Sequence, residues 1–444
     1  MNLHRSVFDR RRMLLGTTAL AGTAVVGCGD SAESESNSEP TAPKRTVPLR
    51  VLLAGSDQDA EAIRRGWGAV SEQPLAIEPV TLSHGSINEV ASEFLDAALK
   101  CDVLIYPLIM LAELDASDCI TSLSDEEMSE DRAKGELHAS LRSGAASYSG
   151  KNIGIPLGAP LPALISGQDL PEGVLGDSLN WKTYDELVSN NWQGKACEPT
   201  APGWAAAMFL WRASGIPAWL FDRETFEPLI ATAPYVQVLR QMRTTYDRYS
   251  LKDQDPNAIW TAVSNGDLNG GIGFPTIRGS AESEPSVIQT LPGTVKNARL
   301  LLGPFSKIVS LSINCRQSLA AKQFIQWISS GEGSAATRSQ VAGMTNTRIQ
   351  MSQNDSSSGA GNTPAYDRWL ADRLSTPVTL PNVNIRQGTF YYQVLDEKVR
   401  SVLQGSSDPT TALKEVADIW SDKTREIGRD AQLRSWRRNQ GMRG

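Results

Sequence analysis

The side chains best suited to contact a solute stand where predicted strands end. Gly270–Gly273 is a run of glycine and isoleucine, which predicts a strand buried on both faces, as in a parallel sheet flanked by helices. Phe274 follows at once and is held by Pro275. Ligands of open α/β sheets bind at the carboxyl ends of strands, so this ring could offer an apolar face to a sugar or another flat-faced solute. A core phenylalanine before an ordinary turn is the alternative.

A second strand end carries polar groups. Leu49–Ala54 is mainly apolar and predicts a buried strand, and the apolar spacing of residues 59–70 predicts the helix after it. Ser56 and Asp57 lie in the turn between the two, where a hydroxyl, a carboxylate and backbone N–H groups can meet a ligand. The alternative is that Asp57 only caps the helix.

Motifs for metal or nucleophilic chemistry are missing from the sequence. No cysteine pair has Cys-x-x-Cys spacing and the three histidines, His4, His84 and His138, are scattered, which argues against a metal site. There is no Gly-x-Ser-x-Gly or His-Glu-x-x-His motif. A secreted carbohydrate hydrolase or lyase needs only two carboxylates about 5–10 Å apart, so the 50 acidic residues leave that alternative open. We nevertheless predict no enzymatic activity and no cofactor.

The amino terminus predicts export and lipid attachment. Residues 1–12 contain four arginines and one aspartate, a charge of +3, and the apolar run Met13–Val26 follows. This run is too short for a stable transmembrane helix and is typical of a signal peptide, and its paired arginines also fit a twin-arginine signal. Val25-Val26-Gly27-Cys28 resembles the lipobox of bacterial lipoproteins. We therefore expect residues 1–27 to be removed and Cys28 to be acylated.

The two ends of the mature chain differ in charge and composition. Residues 28–48 are rich in Ser, Glu, Pro and Thr and predict a solvated, disordered tether, whereas the polar, basic residues 428–444 predict a frayed tail. The formal charge is −7 for the whole chain, so removing the +3 of residues 1–27 leaves −10. An acidic protein without a basic cluster lacks the electrostatic footprint of a nucleic-acid binder.

Four cysteines remain besides Cys28, namely Cys101, Cys119, Cys197 and Cys315. An even number in an exported protein permits two disulfides, whose connectivity the sequence does not determine. Cys101–Cys119 is favoured as the local pair.

Strand and helix patterns alternate through the first part of the mature chain. Strands are predicted at Leu75–Val80 and Asp102–Pro107, with helices at Ser86–Leu99 and Leu108–Asp115. This alternation predicts right-handed βαβ units and a parallel sheet. Later, the proline-rich residues 160–162 are interpreted as a crossing between lobes. Two further helices are predicted, one near Trp181 with Thr183 as its cap and one that Trp204 opens.

The order of these motifs resembles that of the family 1 extracellular solute-binding proteins, the lipoprotein components of bacterial ABC importers that include sugar-binding members. The segments that carry the resemblance cover most of residues 49–427 and are 102–123 (DVLIYPLIMLAEL with CITSL), 148–156 (YSGKNIGIP), 181–187 (WKTYDEL), 271–275 (GIGFP), 291–293 (LPG), 311–333, 344–348 (MTNTR) and 389–420.

The resemblance implies an α/β fold of two lobes, each a mostly parallel sheet flanked by helices, that close like a hinge on a solute between them. It implies lobe I in residues 49–159 and 293–345, and lobe II in residues 160–292 and 346–427. A small solute, most readily a mono- or oligosaccharide, would be delivered to the permease of an ABC transporter. The protein would be a monomer at the membrane, anchored through Cys28.

Matching positions imply the residues of the cleft. They are Ser56, Asp57, Tyr106, Trp204, Phe274, Arg278, Arg348, Phe390, Tyr391 and Tyr392. Two alternatives share the fold. Adjacent Tyr391 and Tyr392 suit Fe³⁺ in a ferric- or anion-binding protein, and a lipoprotein with a degenerate cleft could instead serve a receptor.

Overall fold

Two β-sheets organise the chain, one drawn mainly from its first third and one from its middle. The computed structural model describes residues 47–124, 126–127, 135–171, 179–216, 220–277, 283–293, 300–349, 364–375, 379–380 and 383–439. The strands are β1 (Leu49–Ala54), β2 (Leu75–Val80), β3 (Val103–Pro107), β4 (Ile120–Thr121), β5 (Ser147–Tyr148), β6 (Lys151–Asn152), β7 (Ile155–Gly158), β8 (Ala163–Ser166), β9 (Ala196–Cys197), β10 (Gly270–Gly273), β11 (Val287–Gln289), β12 (Leu300–Leu301), β13 (Lys307–Ser312) and β14 (Thr379–Leu380).

Helices connect and cover these strands. They are α1 (Asp57–Gly68), α2 (Ile87–Ala98), α3 (Leu111–Ala116), α4 (Ala139–Gly144), α5 (Trp181–Glu186), α6 (Ala205–Ala213), α7 (Ala233–Tyr246), α8 (Pro256–Ser264), α9 (Ser318–Ile328), α10 (Gly331–Thr337), α11 (Ala365–Leu374), α12 (Gly388–Leu403), α13 (Pro409–Ile427) and α14 (Arg429–Asn439). Single 3₁₀ turns at His84–Ser86 and Leu108–Met110 precede α2 and α3.

The first sheet has six strands in the order β2-β1-β3-β13-β4, with β7 also paired to β13. β1 runs parallel to β2 and β3, as the predicted βαβ units require. Alternate residues of β1 face two cores. Leu49, Val51 and Leu53 pack with the apolar sides of α1 and α9, whereas Leu52 and Ala54 pack with α2.

The second sheet has four strands in the order β11-β8-β10-β9. β10 is parallel to β9 but antiparallel to β8, and β8 is antiparallel to β11. In the first sheet β13 is antiparallel to β3, β4 and β7. Both sheets are therefore mixed rather than mostly parallel, because β8 and β13 each enter directly from a crossing between the sheets instead of from a βαβ unit.

The described cysteines are free thiols, so the predicted Cys101–Cys119 disulfide is wrong. Cys101 lies just before β3 and Cys119 just before β4, and β13 is inserted between those strands. Val103 and Thr121 are both paired with Leu311. Cys101 and Cys119 each lie two residues earlier, so they are at the same level of the sheet but two strand spacings apart, about 9–10 Å. A disulfide needs Cα atoms within about 7 Å.

The carboxyl-terminal residues also differ from prediction. Residues 429–439 form α14 instead of a frayed tail. Trp436 is buried, with its ring centroid 5.4 Å from that of Phe221 and 6.2 Å from that of Phe226. The burial of one aromatic and the contacts of Gln432 with α12 outweigh the solubility of the surrounding arginines.

The cap of α5 is likewise corrected. Asn180, not Thr183, precedes the helix, and its side-chain oxygen accepts a hydrogen bond from the Thr183 backbone at 3.0 Å. Asparagine in extended backbone is a favoured N-cap.

No helix among the described residues is long and apolar enough to cross a bilayer.

Candidate functional site

A cavity of about 350 Å³ lies between the two sheets. From the first lobe it is lined by Gly55, Ser56, Gln58, Asp59, Thr81, Leu82 and His84, and from the second by Trp204, Asp255, Asn257, Phe274, Thr276 and Ile277. Segments beside the crossings complete it with Pro160, Phe305, Lys307, Gln340, Ala342 and Gly343. Residues 55–59, 81–84 and 274–277 follow the carboxyl ends of β1, β2 and β10, where α/β folds bind ligands.

Trp204 is the centre of an aromatic wall of the cavity. Its ring centroid lies 5.0 Å from that of Phe305, 5.7 Å from that of Phe274 and 5.1 Å from that of His84. The two phenylalanines meet it edge to face, at interplanar angles of 71° and 69°, an arrangement that aromatic quadrupoles favour. Each ring therefore fixes the orientation of the others.

Glycines in β10 bring Phe274 to this wall. A Cβ atom on Gly271 would lie 2.3 Å from the carbonyl oxygen of Cys197, and one on Gly273 would lie 2.8 Å from that of Pro256. No larger residue fits, so β10 packs directly between β9 and α8. The ring that follows is then carried to the open end of the sheet.

Helix α12 holds the turn that presents Trp204. Asp396 accepts hydrogen bonds from the backbone N–H groups of Gly203 at 2.8 Å and Ala206 at 3.0 Å, and the Tyr392 hydroxyl donates to the Gly203 carbonyl at 2.7 Å. Burial raises the pKa of Asp396 to about 6. Its position on the apolar side of an amphipathic helix is a sequence signal for a buried structural role.

The two lobes touch directly at the rim of the cavity. Gly343 N–H donates to the Thr276 carbonyl at 2.7 Å. On another side, the backbone of Gly203, at φ +85°, packs against His84 so closely that a Cβ would lie 2.3 Å from the His84 carbonyl. The cavity is therefore enclosed by contacts from both sheets, which is the condition for a solute to influence how the lobes are held together.

Polar groups of the cavity are organised by helix N-termini. Asp59 accepts from the backbone N–H groups of Ser56 at 2.9 Å and Ala342 at 3.0 Å. Asp255 accepts from those of Asn257 and Ala258 at the start of α8. Asn257 in turn accepts from the Thr276 backbone at 3.0 Å. These contacts set the walls rigidly before any ligand enters.

His84 is an uncharged member of the wall at neutral pH. Burial, and to a smaller degree the Lys307 ammonium, lower the pKa of its imidazole to about 4, although Asp255 acts in the opposite direction. Its ring centroid lies 4.3 Å from that of Phe305. A neutral imidazole can both donate and accept hydrogen bonds, which suits hydroxyl groups.

This pKa predicts a pH dependence of stability. The pKa of His84 is about 4 in the folded chain against 6.5 when unperturbed, so its stabilising contribution is present above about pH 6.5 and is lost as the pH falls toward about 4. The amide of His84→Gln does not ionise. We expect the stability advantage of the wild type over this variant to fall by roughly 2 kcal/mol between about pH 7 and pH 4.5. Urea unfolding of both proteins measures it, and a difference that does not vary with pH would contradict the assignment.

Three of the predicted cleft residues, Ser56, Trp204 and Phe274, line the cavity. Asp57 does not. It is exposed in the first turn of α1, while Asp59, two residues on, reaches the cavity as part of a capping box with Ser56. Arg278 lies outside the described residues.

The remaining predicted residues pack elsewhere. Tyr106 is buried in β3 with its hydroxyl 2.8 Å from that of Ser310, and the buried Arg348 guanidinium donates to the carbonyls of Ser329 at 2.7 Å and Gly135 at 2.6 Å. Phe390 is half-buried beside Lys423. A role in the cleft is therefore corrected for these three, because none of their side chains lines the cavity.

Adjacent Tyr391 and Tyr392 do not converge on one site. The Tyr391 hydroxyl meets Thr424 at 2.9 Å and Gln432 at 3.0 Å in the interior, whereas Tyr392 reaches Gly203. Tyr392 packs against the aromatic wall, with its ring centroid 5.8 Å from that of Phe305. Two phenols with separate partners do not form the paired ligand set of a ferric site. Among the described residues no three His, Cys, Asp or Glu side chains are grouped for a metal ion.

Several cavity residues were not predicted from the sequence, chiefly His84, Phe305 and Lys307. Phe305 and Lys307 both lie in the segment LLGPFSKIVSLSI, residues 301–313. A phenylalanine and a lysine placed around a turn that enters a wholly buried strand are the signal that could have identified them.

Several solved structures have an architecture similar to that of this chain. A T. maritima MalE3 with bound maltose matches with a TM-score of 0.65, 15% identity, and coverage of 85% of this chain and 99% of that chain. An ABC transporter solute-binding protein of Agrobacterium vitis S4 with bound D-mannitol has a TM-score of 0.67, 15% identity, and coverage of 86% and 99%. The chain has the two-lobed fold of ABC-transporter solute-binding proteins.

A third protein with the solute-binding-protein fold, the GacH receptor of Streptomyces glaucescens GLA.O, matches with a TM-score of 0.62, 14% identity, and coverage of 85% and 98%; it was solved unliganded and with acarbose. Scans against protein-family models and curated proteins gave no match. The likeness is therefore one of fold, recognised through nearly the full length of each neighbour.

Proposed function

We propose that this protein captures a small polyhydroxylated solute, a sugar or polyol, between its lobes and releases it unchanged to an ABC importer. The observation that carries the proposal is the cavity itself, in which an aromatic wall around Trp204 faces hydrogen-bonding groups from both lobes. Rings cover the C–H faces of a sugar while amides, hydroxyls and imidazole bind its hydroxyls. Its volume of about 350 Å³ suits a small ligand.

The neighbours in fold support the same class of solute. Maltose, D-mannitol and acarbose are the ligands named for the three proteins compared above. Delivery to a permease and anchoring through acylated Cys28 extend the proposal, since a tether at residues 28–48 would keep the protein near its transporter and raise its local concentration.

Capture without catalysis is part of the proposal. Both oxygens of Asp59 accept backbone N–H bonds, so they are engaged by the backbone rather than free to contact a glycosidic oxygen. Asp255 is likewise engaged as a helix cap. A retaining or inverting glycosidase uses two carboxyl groups that reach its substrate, whereas these two hold backbone N–H groups.

A panel of sugars and polyols tests the proposal. Thermal unfolding of the purified protein is followed with maltose, D-mannitol, D-glucose, D-galactose and the corresponding sugar acids, with glycine betaine and phosphate as unrelated controls. A ligand present at about 100 times its Kd should raise the free energy of unfolding by about 2.7 kcal/mol. The solution that contains protein and sugar is then analysed for products of sugar cleavage. Stabilisation by none of the panel, or release of a cleavage product, would overturn the proposal.

A further inference from the structure

Lys307 is a buried cation that lines the cavity, and none of the described residues pairs with its ammonium. It begins β13, is 4% exposed and lines the cavity floor beside Gly343, whose added Cβ would lie 3.6 Å from its Cε. Within the described residues its ammonium makes no hydrogen bond or ion pair, and burial lowers its pKa. An ion pair is stronger in a poorly solvated site than in bulk water, so an anionic group of a bound solute would be attracted to this ammonium.

The acidic residues of the cavity do not pair with this charge, because backbone N–H groups already engage them. Asp59 lies in the first turn of α1 and uses both oxygens on backbone N–H groups. Asp255 caps α8 by accepting hydrogen bonds from two further backbone N–H groups. Asp59 favours the charged form of Lys307 only through its field. The positive ends of the two helix dipoles offset these carboxylates, and His84 is neutral at neutral pH since its pKa is about 4.

Lys307 is therefore the one charged group of the described cavity wall that no hydrogen bond engages. We propose that the natural solute is a sugar acid whose carboxylate pairs with Lys307 while its ring lies against Trp204. This inference deepens the proposed function and rests on it. One carboxylate balances one ammonium, whereas a phosphate dianion would bring excess negative charge beside Asp59 and Asp255.

The first test compares acids with their neutral parents by isothermal titration calorimetry on the purified protein. D-Glucuronate and D-galacturonate are paired with D-glucose and D-galactose, and D-glucose 6-phosphate distinguishes a carboxylate from a phosphate. We expect at least one uronate to bind at least ~30-fold more tightly than its parent hexose, as a desolvated charge pair should provide. The phosphate ester should bind no better than the hexose.

Two variants assign the preference to Lys307. Lys307→Met keeps the length of the side chain and removes the charge, so uronate and hexose should bind equally, while the melting temperature without ligand should be unchanged or higher because an unpaired buried charge is gone. Lys307→Arg should keep the preference for the acid. If Lys307→Met does not fold, calorimetry of the wild type and of Lys307→Arg still tests whether the acid binds more tightly than its parent hexose.

The outcomes separate the inference from the function. Equal affinities for acids and parent hexoses, tighter binding of the phosphate ester, or a uronate preference that survives in Lys307→Met would each overturn the role of Lys307 and leave solute capture intact. Binding of no sugar, polyol or sugar acid to the folded protein would overturn both.

Discussion

Replacing Trp204 by alanine is expected to weaken solute binding by about 2–3 kcal/mol, roughly a 30- to 150-fold rise in Kd. The indole contacts three other aromatic side chains of the wall, Phe274, Phe305 and His84. Its removal takes away the central apolar face and also frees the two phenylalanine rings from their edge-to-face packing. Calorimetric titration with the tightest ligand of the sugar panel measures the change.

Conservative and control variants separate binding from folding. Trp204 is 5% exposed, so its truncation also lowers stability, whereas Trp204→Phe retains a ring and should cost binding only about 1 kcal/mol. Trp192→Phe is the matched control, because Trp192 is fully buried in the same lobe and does not line the cavity. It should lose stability and keep its Kd. An unchanged Kd in Trp204→Ala would mean that the solute binds elsewhere.

Glu198→Ala should lower the free energy of unfolding by about 3–5 kcal/mol, the largest stability effect that we predict. Glu198 follows β9, and both of its oxygens accept hydrogen bonds from the Arg212 guanidinium of α6, at 3.1 Å from Nε. The two side chains are 1% and 2% exposed. The Arg212 guanidinium also lies over the Trp181 ring, 4.4 Å from its centroid. Removing the carboxylate leaves a buried cation without its main partner, since Asp185 is 4.0 Å away.

An exposed ion pair supplies the control. Lys414 and Asp418 are paired one turn apart on α13 with 71% and 64% of their side chains exposed, so Asp418→Ala should change stability by less than about 0.5 kcal/mol. The double variant Glu198→Met with Arg212→Met should recover much of the loss, because it removes both buried charges. Chemical denaturation measures all three, and equal losses in Glu198→Ala and Asp418→Ala would contradict this account.

Strand positions were predictable because they depend on local pattern. The bounds predicted for β1, β2 and β10 match the structure residue for residue, since each is a short apolar or glycine run ended by turn residues. Helices α1 and α2 were placed within two residues of their ends, as expected where capping alone sets the limit. The two-lobed fold, implied by the order of weak motifs, is likewise confirmed.

Contacts between distant segments were not predictable in this way. The Cys101–Cys119 pair failed because β13, almost two hundred residues later in the sequence, inserts between the strands that these cysteines precede. Tyr106 and Tyr391 are aromatic residues at the end of a strand and the start of a helix, but the pattern does not show whether such a ring faces a cleft or a neighbouring helix. In this fold both face the interior.

The amino-acid sequence by itself determined where the chain forms strands and helices and that Phe274 and Trp204 stand at element ends, because hydrophobic periodicity and turn residues act over a few positions. Only the tertiary structure decided that these rings meet Phe305 and His84, that Asp396 holds the turn of Trp204, and that Lys307 lines the cavity with no partner among the described residues. The reason is physical: the cavity is assembled where segments far apart in sequence cross, and its chemistry depends on which charges other helices have already engaged.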